Sequence, residues 1–378
     1  MRTPLHAALA ALLALACGSD EDEDEVVETV EVRGEDEGGG QPEAEAPPDP
    51  DALPPLFSRS RPLMGTVFII KVQAPERVAA PAVERAFDEI ERLETVLSEW
   101  REDSEISRIN RHAGRRPVEV GEDVFTVVKA GVDVSRWSEG AFDLSWAALR
   151  GLYDFRPGRQ RVPARSAVRP KLRLIDWSQI ELDEEARTVF LKREGMAIGT
   201  GGIGKGYALD RAGEILRDAG IESYMLFGGG QVQVHGQRGP RAWRVGIQHP
   251  RREEEYFAFF ESDGGSISTS GDYEHFFIDD DGKRWHHILD TDTGLPAERT
   301  TSVTLLAPSG LYADALSTAV FVLGPERGLE MLARIPYRAE AVVLGADCRL
   351  RTTPGTREKL ILRVELGEDD LVPGCDAP

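Results

Sequence analysis

The sequence has no basic surplus. Among its 378 residues, 45 are Lys or Arg and 66 are Asp or Glu, a formal charge of −21. The electrostatic footprint expected of a nucleic-acid binder is therefore missing. The deficit is local: Asp20 to Asp51 holds fifteen acids and one base, Arg33, so the remaining residues carry only −7. The acidity describes a tail and not a binding face. No apolar run spans a bilayer with ordinary flanks; the longest lies within the first seventeen residues, "MRTPLHAALAALLALAC". No short repeat period stands out. Cysteine is scarce, with Cys17, Cys348 and Cys375 the full set, and there are only seven histidines.

What is present begins with that opening run. One arginine, an apolar stretch and small residues outline a signal peptide over 1–17. "LALAC" resembles a bacterial lipobox, with Ala14 where leucine is usual. The resemblance implies lipid on Cys17 and a protein anchored on the periplasmic side of a membrane. Gly18, not aspartate, follows the cysteine, so nothing argues for retention in an inner membrane. Residues 18–57 are mostly Glu, Asp, Gly and Pro. Such a stretch cannot bury enough apolar surface to offset its ordering entropy, and like charges extend it. It reads as a disordered acidic tether leading to one domain over 58–378. Cys348 and Cys375 can pair in an oxidising compartment; their spacing alone does not decide it.

In the domain, "GTVFIIKV" (65–72), "TVFLK", "SYMLF", "VQVH", "WRVGI", "YFAFFE", "SVTLLA", "AVVLG" and "LILRV" read as strands. Helices are expected from the Val83, Phe87, Ile90, Leu93, Leu97 stripe, over about 123–138 and 205–219, from Ala313 to Leu323, and from Pro325 to Ile335. A charged loop is expected over Arg156–Arg173. "HFFIDDDGKRWHHIL" reads as a hairpin about an Asp-Gly turn. Interspersed strands and helices without strict βαβ alternation predict an α+β domain with mixed, largely antiparallel sheets and flanking helices.

"GTGGIGKGY" (Gly199–Tyr207) fits two phosphate-binding patterns at once and fails both in detail. Gly206 stands where a nucleotide-triphosphatase loop needs Ser or Thr. Glu222 comes at the beginning of the next strand, where a dinucleotide fold wants an acid at its end. Small residues, Lys205 and a helix start still suit a pyrophosphate. In "ADALSTAV", Asp314 and Thr318 share a helix face and offer hard oxygens suited to magnesium. On their own they equally fit a helix cap and a hydroxyl bonding back to the preceding turn.

Eight stretches in one order change this picture: "MGTVF", "LSEWREDSEISRIN", "GAFDLS", "GGIGKGYALD", "FGGG", "STSGDYEHFF", "HHILDTDTG" and "ADALSTA". The series, within Leu63–Gly324, resembles the ApbE family of FAD:protein FMN transferases, once called thiamine-biosynthesis lipoproteins. The resemblance implies a fold related to the tunnelling fold, with FAD in a cleft. It implies that Met64, Trp100 (where tyrosine is common), Ala141, Phe142 and Asp143 line the flavin and adenine pockets, with Ile288 facing FAD. Gly202 would give its carbonyl, and Asp314 and Thr318 their side chains, to Mg2+. Lys205 would face the phosphates. His287 would be the base that takes a proton from a Thr or Ser hydroxyl of an acceptor protein as FMN is transferred and AMP released. Asp290 and the Thr293-Gly294 turn would orient the site, while His286, on the opposite strand face, is structural. Family acceptors are typically subunits of membrane electron-transfer complexes. The same residues would also serve hydrolysis of FAD to FMN and AMP, or FAD binding without turnover.

Two departures stand out. The family pattern Ile-Asp-Leu-Gly-Gly is here Ile198-Gly199-Thr200-Gly201-Gly202, so the acid that contacts FAD is missing, and Thr291 stands where proline is usual. Restoring an acid at 199 is expected to tighten FAD binding unless glycine is needed there for its backbone freedom.

Overall fold

The computed structural model describes residues 56–375. The signal segment, Cys17 and most of the acidic stretch lie outside the described residues. Its first strand already takes up Leu56 and Phe57, the last two residues assigned to the tether.

Eight strands form the main sheet, and their spatial order is their chain order. They are β1 (Leu56–Leu63), β2 (Thr66–Gln73), β3 (Tyr224–Gly228), β4 (Gln231–His235), β5 (Gly264–Gly271), β6 (Thr300–Ala307), β7 (Glu340–Gly345) and β8 (Leu350–Thr352). Every neighbouring pair is antiparallel. The helices α1 (Glu76–Leu97), α2 (Glu122–Trp137) and α3 (Gly204–Asp218) are inserted between β2 and β3. The next two, α4 (Gly310–Leu323) and α5 (Pro325–Arg334), lie between β6 and β7.

Alternation along β3 explains the layering. Tyr224 and Leu226 join the core shared with α1, α3 and α4, whose members include Phe87, Leu209 and Leu316. Met225 and Phe227 face the other way, onto Trp243 and Val245. The last two belong to a second antiparallel sheet built from Gln237–Arg238, Arg241–His249, Arg252–Ser262 and Leu360–Leu362. The α+β expectation with antiparallel sheets therefore holds. Among the described residues, no helix is long and apolar enough to cross a membrane.

The sequence reading missed three kinds of element. Arg165–Leu172 is a short helix inside the expected charged loop. The strand β1 alternates charged and small residues and lacks an apolar run. The strand β5, GGSISTSG, is central yet rich in Ser and Gly. It is held by tertiary bonds, since Ser268 and Ser270 both bond the Ser317 hydroxyl of α4 (2.9 and 2.8 Å). Cys348 and Cys375 form a disulfide with Cα atoms 5.5 Å apart, an ordinary span for such a bond.

Candidate functional site

One end of the main sheet gathers the hairpin tips Met64-Gly65 and Gly229-Gly230 and the start of α3. Both tip pairs have positive φ (49° and 75°, then 54° and 83°), the geometry of tight two-residue hairpin turns. Methionine adopts this backbone region at a cost, so Met64 is held in place by more than turn preference. A Cβ on Gly229 would lie 3.2 Å from Lys205 Cδ, which sets the Lys205 stem against this tip. The ammonium of Lys205 donates to the Gly201 carbonyl (2.8 Å).

The close crossing of α3 and α4 brings Asp314 to the same place. Gly206 and Gly310 meet with no room for a side chain on either. Hence glycine, and not Ser or Thr, follows Lys205. Asp210, one turn further along α3, caps α4. Its carboxylate accepts from the Gly310 and Leu311 amides (2.7 and 3.0 Å) and from the Ser309 hydroxyl (2.6 Å). Asp314, buried at 3% exposure, accepts from the Gly206 amide (3.0 Å) and from Gln231 Nε2 (3.1 Å). Burial raises its pKa, against the opposing pull of Lys205 and two amides.

The hydroxyl of Thr318 contacts the Asp314 carbonyl and Ser270 Oγ, both at 3.5 Å. It also lies 3.5 Å from the position of a Cβ on Gly202. Thr318 thus stands beside Gly202, and Asp314 lies one turn earlier on the same helix. Among the described residues no three His, Cys, Asp or Glu side chains are placed to hold a metal ion together. A cation here would rely on one carboxylate plus hydroxyl and carbonyl oxygens, a hard donor set that fits magnesium. A buried carboxylate with raised pKa is one that an added cation would favour.

The histidine hairpin pairs Phe276–Ile278 with Arg284–His286. His286 is buried, bonds the Ala297 carbonyl through Nε2 (3.0 Å), and stands edge-on to Phe321. Burial lowers its pKa. His287, one residue past the end of this strand, is exposed where His286 is buried. His287 keeps solvent-accessible surface, yet desolvation by surrounding protein is the largest influence on its proton. His275, His286 and Lys205 add to that effect, and the pKa is pushed down to about 3. The ring is exposed to solvent on one side and stands against His275 on another. His275 stands edge-on to His287 with centroids 5.2 Å apart, and its carbonyl accepts the His287 amide (3.1 Å). Glu274 is also accessible, and desolvation raises its pKa against His275 and Lys205. The motifs "STSGDYEHFF" and "GGIGKGYALD" hold Glu274, His275 and Asp210, whose places are set by packing that no local pattern signals.

The other expected residues have separate surroundings. Trp100 is 71% exposed, with the Arg150 guanidinium 5.3 Å from its ring. Phe142 is buried, its ring edge 3.3 Å from the position of a Cβ on Gly202. Ala141 is half-buried and lines a small polar pocket with Asp290 and Thr291. The Asp143 carboxylate is committed to the protein: Oδ1 accepts from the Ser145 amide and hydroxyl, and Oδ2 from the Trp177 amide. Burial pushes it up to about 6 against these bonds. The Ile288 side chain belongs to the main core. Asp290 accepts from the Asp292 and Thr293 amides (2.9 and 3.0 Å), so it shapes the turn. Thr291 donates to the Gly140 carbonyl (2.7 Å), tying the histidine turn to the "GAFD" loop.

Gly199 has no left-handed backbone angle, so conformational freedom is not why it is glycine. A Cβ there would meet Ala147, Glu99 Oε1 and Trp146 at 3.1–3.2 Å.

The ApbE family model matches residues 64–343. The chain is 32% identical over 308 residues to an FAD:protein FMN transferase of Klebsiella pneumoniae, covering 79% of this chain and 95% of that protein. It is 31% identical over 322 residues to one of Treponema pallidum, covering 80% and 88%. Among solved structures, the ApbE protein of Thermotoga maritima superposes with a TM-score of 0.74 at 29% identity, covering 81% of this chain and 99% of that one. The flavin transferase ApbE of Vibrio cholerae gives 0.69 at 27% identity, covering 79% and 97%. With the motifs in order and the family model spanning residues 64–343, this chain is a member of the ApbE family.

Proposed function

We propose that this chain transfers FMN from FAD to a Thr or Ser hydroxyl of an acceptor protein, in a magnesium-dependent reaction that releases AMP. The observation that carries the reading is His287: an accessible imidazole held neutral by desolvation, close enough to Lys205 to feel its charge, as Asp314 also does. Desolvation favours its neutral form, the one that can accept a proton. His287 takes the hydroxyl proton as the acceptor oxygen bonds to the phosphorus of the FMN half. The bond from that phosphorus to the bridging oxygen breaks, and AMP leaves with that oxygen. Lys205 offsets charge on the dividing pyrophosphate. Asp314, Thr318 and the Gly202 carbonyl would hold magnesium, which when bound supplies positive charge to the same phosphates. Trp100 and Met64 offer flat and flexible apolar surface to ring systems.

Acceptors of the expected kind are subunits of membrane electron-transfer complexes. Cys17 would carry the lipid and place the domain on the periplasmic side of a membrane, with residues 18–57 as the tether. The Cys348–Cys375 disulfide supports an oxidising compartment. An intact mass of the membrane-bound chain starting at a lipidated Cys17 is expected; cleavage that removes Cys17 would overturn the anchor.

The deciding assay incubates the chain with FAD, magnesium and an acceptor peptide bearing one threonine. Covalent flavin on the peptide with one AMP per flavin is the expected result. AMP formed at the same rate with no labelled peptide would mean hydrolysis. FAD bound and never consumed would mean a holding protein.

A further inference from the structure

The structure assigns to Glu99 the acidic contact to FAD that Gly199 cannot make. The inference rests on the FAD reading above and deepens it. Glu99 sits in the turn "SEW" that follows α1. The turn is pinned by bonds from the Trp100 and Arg101 amides to the Ser98 hydroxyl (3.2 and 3.3 Å) and from the Ser104 hydroxyl to the Ser98 carbonyl (2.6 Å). The Arg150 guanidinium holds the Glu99 carbonyl. The side chain turns inward and is only 5% exposed.

Its two oxygens have different surroundings. Oε2 accepts from the Thr200 amide (3.1 Å) and lies 3.2 Å from the Thr200 hydroxyl, which also donates to the Leu97 carbonyl (2.7 Å). Oε1 accepts no hydrogen bond from any described residue. It lies 3.2 Å from where a Cβ on Gly199 would stand and 3.6 Å from that of Gly201, beside the edge of Trp146. Gly201 is the residue whose carbonyl holds Lys205. Oε1 is not sealed from solvent, so a bound molecule can reach it with a donor. Here the open oxygen faces the glycine loop, next to exposed Trp100.

Glycine at 199 and glutamate at 99 therefore form a pair. An aspartate on the loop would be driven into the Glu99 carboxylate, with overlap and like-charge repulsion. With Gly199, the same space is filled from the α1 side, and an acid still borders the loop. We infer that Glu99 Oε1 accepts a hydrogen bond from an N–H or O–H of bound FAD. Gly199 is the complementary vacancy.

The test measures FAD affinity by flavin fluorescence with magnesium present, and thermal midpoints without FAD, for five chains: parent, Glu99→Gln, Glu99→Asp, Gly199→Asp and Glu99→Ala/Gly199→Asp. Glu99→Gln keeps size and the Thr200 contacts but places an NH2 donor where Oε1 accepted. Its Kd for FAD should rise about tenfold or more, the usual worth of a charged acceptor, with its midpoint near the parent's. Glu99→Asp, which keeps the charge, should recover part of that loss. Gly199→Asp alone should bind FAD worst. The double variant, which moves the acid from one position to the other, should return to within about threefold of the parent, since removing Glu99 restores the space. Parental FAD affinity in Glu99→Gln, or a double variant binding no better than Gly199→Asp, overturns the inference. A parent that binds no FAD overturns the FAD reading as well, whereas a binding parent with an indifferent Glu99→Gln overturns only this step. If Gly199→Asp does not fold, Glu99→Gln and Glu99→Asp decide the matter.

Discussion

Gly206 on α3 and Gly310 on α4 touch backbone to backbone, and each occupies the space a side chain on the other would need. The contact places the Gly206 amide 3.0 Å from Asp314 Oδ2, so it sets the distance between the lysine-bearing loop and the carboxylate of the candidate metal site. Gly206→Ala should cost about 3 kcal/mol, the upper part of the range for overpacking, because only backbone can yield. Denaturant unfolding measures it. A loss below about 1 kcal/mol would show that the two helices separate easily.

Magnesium binding should depend on Asp314 more than on Thr318. Asp314→Asn removes charge with little change in volume and should weaken magnesium about 100-fold or more. Thr318→Ala should cost about tenfold, in the range seen for neutral groups that support a metal. Calorimetric titration of magnesium into the chain with FAD present reads both. Equal losses, or none for Asp314→Asn, would place the metal elsewhere.

His287→Ala should still bind FAD while transfer falls by about 10²–10⁴. His286→Ala should lose stability, since His286 is buried and bonded to Ala297. In-gel flavin fluorescence on the acceptor peptide, beside an FAD-binding control, separates the two. Parental transfer by His287→Ala would remove it as the base.

The same residue predicts a pH effect on stability. His287 in the folded chain has a pKa of about 3, below its ordinary 6.5. The unfolded chain therefore binds the extra proton first, and the folded state is penalised as pH falls below 6.5. Carboxylates with raised values, Asp143 and Asp314 among them, act in the opposite direction. The clean readout is the difference between parent and His287→Ala. That difference should shift against the parent between pH 7.5 and 4.5 and stay level above 7.5. A difference independent of pH would mean that His287 titrates alike in both states.

The Cys348–Cys375 bond closes a loop with a sequence separation of 27. On the chain-entropy account it should stabilise the domain by about 3.5 kcal/mol. Reductant should lower the parent's unfolding midpoint and leave a Cys348→Ser/Cys375→Ser variant unmoved. Identical responses of the two would argue against the bond.

Much of this protein is determined locally. The apolar stripe of α1, the strand runs of β2 and β6, the proline-started α5 and the alternation that separates His286 from His287 all follow from periods of 3.6 and 2. The spacing of four between Asp314 and Thr318 puts them on one helical face by the same reasoning. Other features depend on partners far away in the chain. GGSISTSG has weak strand propensity and is a central strand because Ser317 of α4 and its two neighbouring strands satisfy it. Asp143 is expected by resemblance to line the flavin and adenine pockets; the partners of its oxygens, Ser145 and Trp177, are not legible from the motif, and the second of these is 34 residues away. Gly199 looked like a lost acid. Only the three-dimensional packing brings Glu99, 100 residues earlier, into the space beside it. Periodicity follows from the geometry of a single element, so the sequence carries it. Which side chain fills a given space follows from close packing between elements, and that is decided only when the chain has folded.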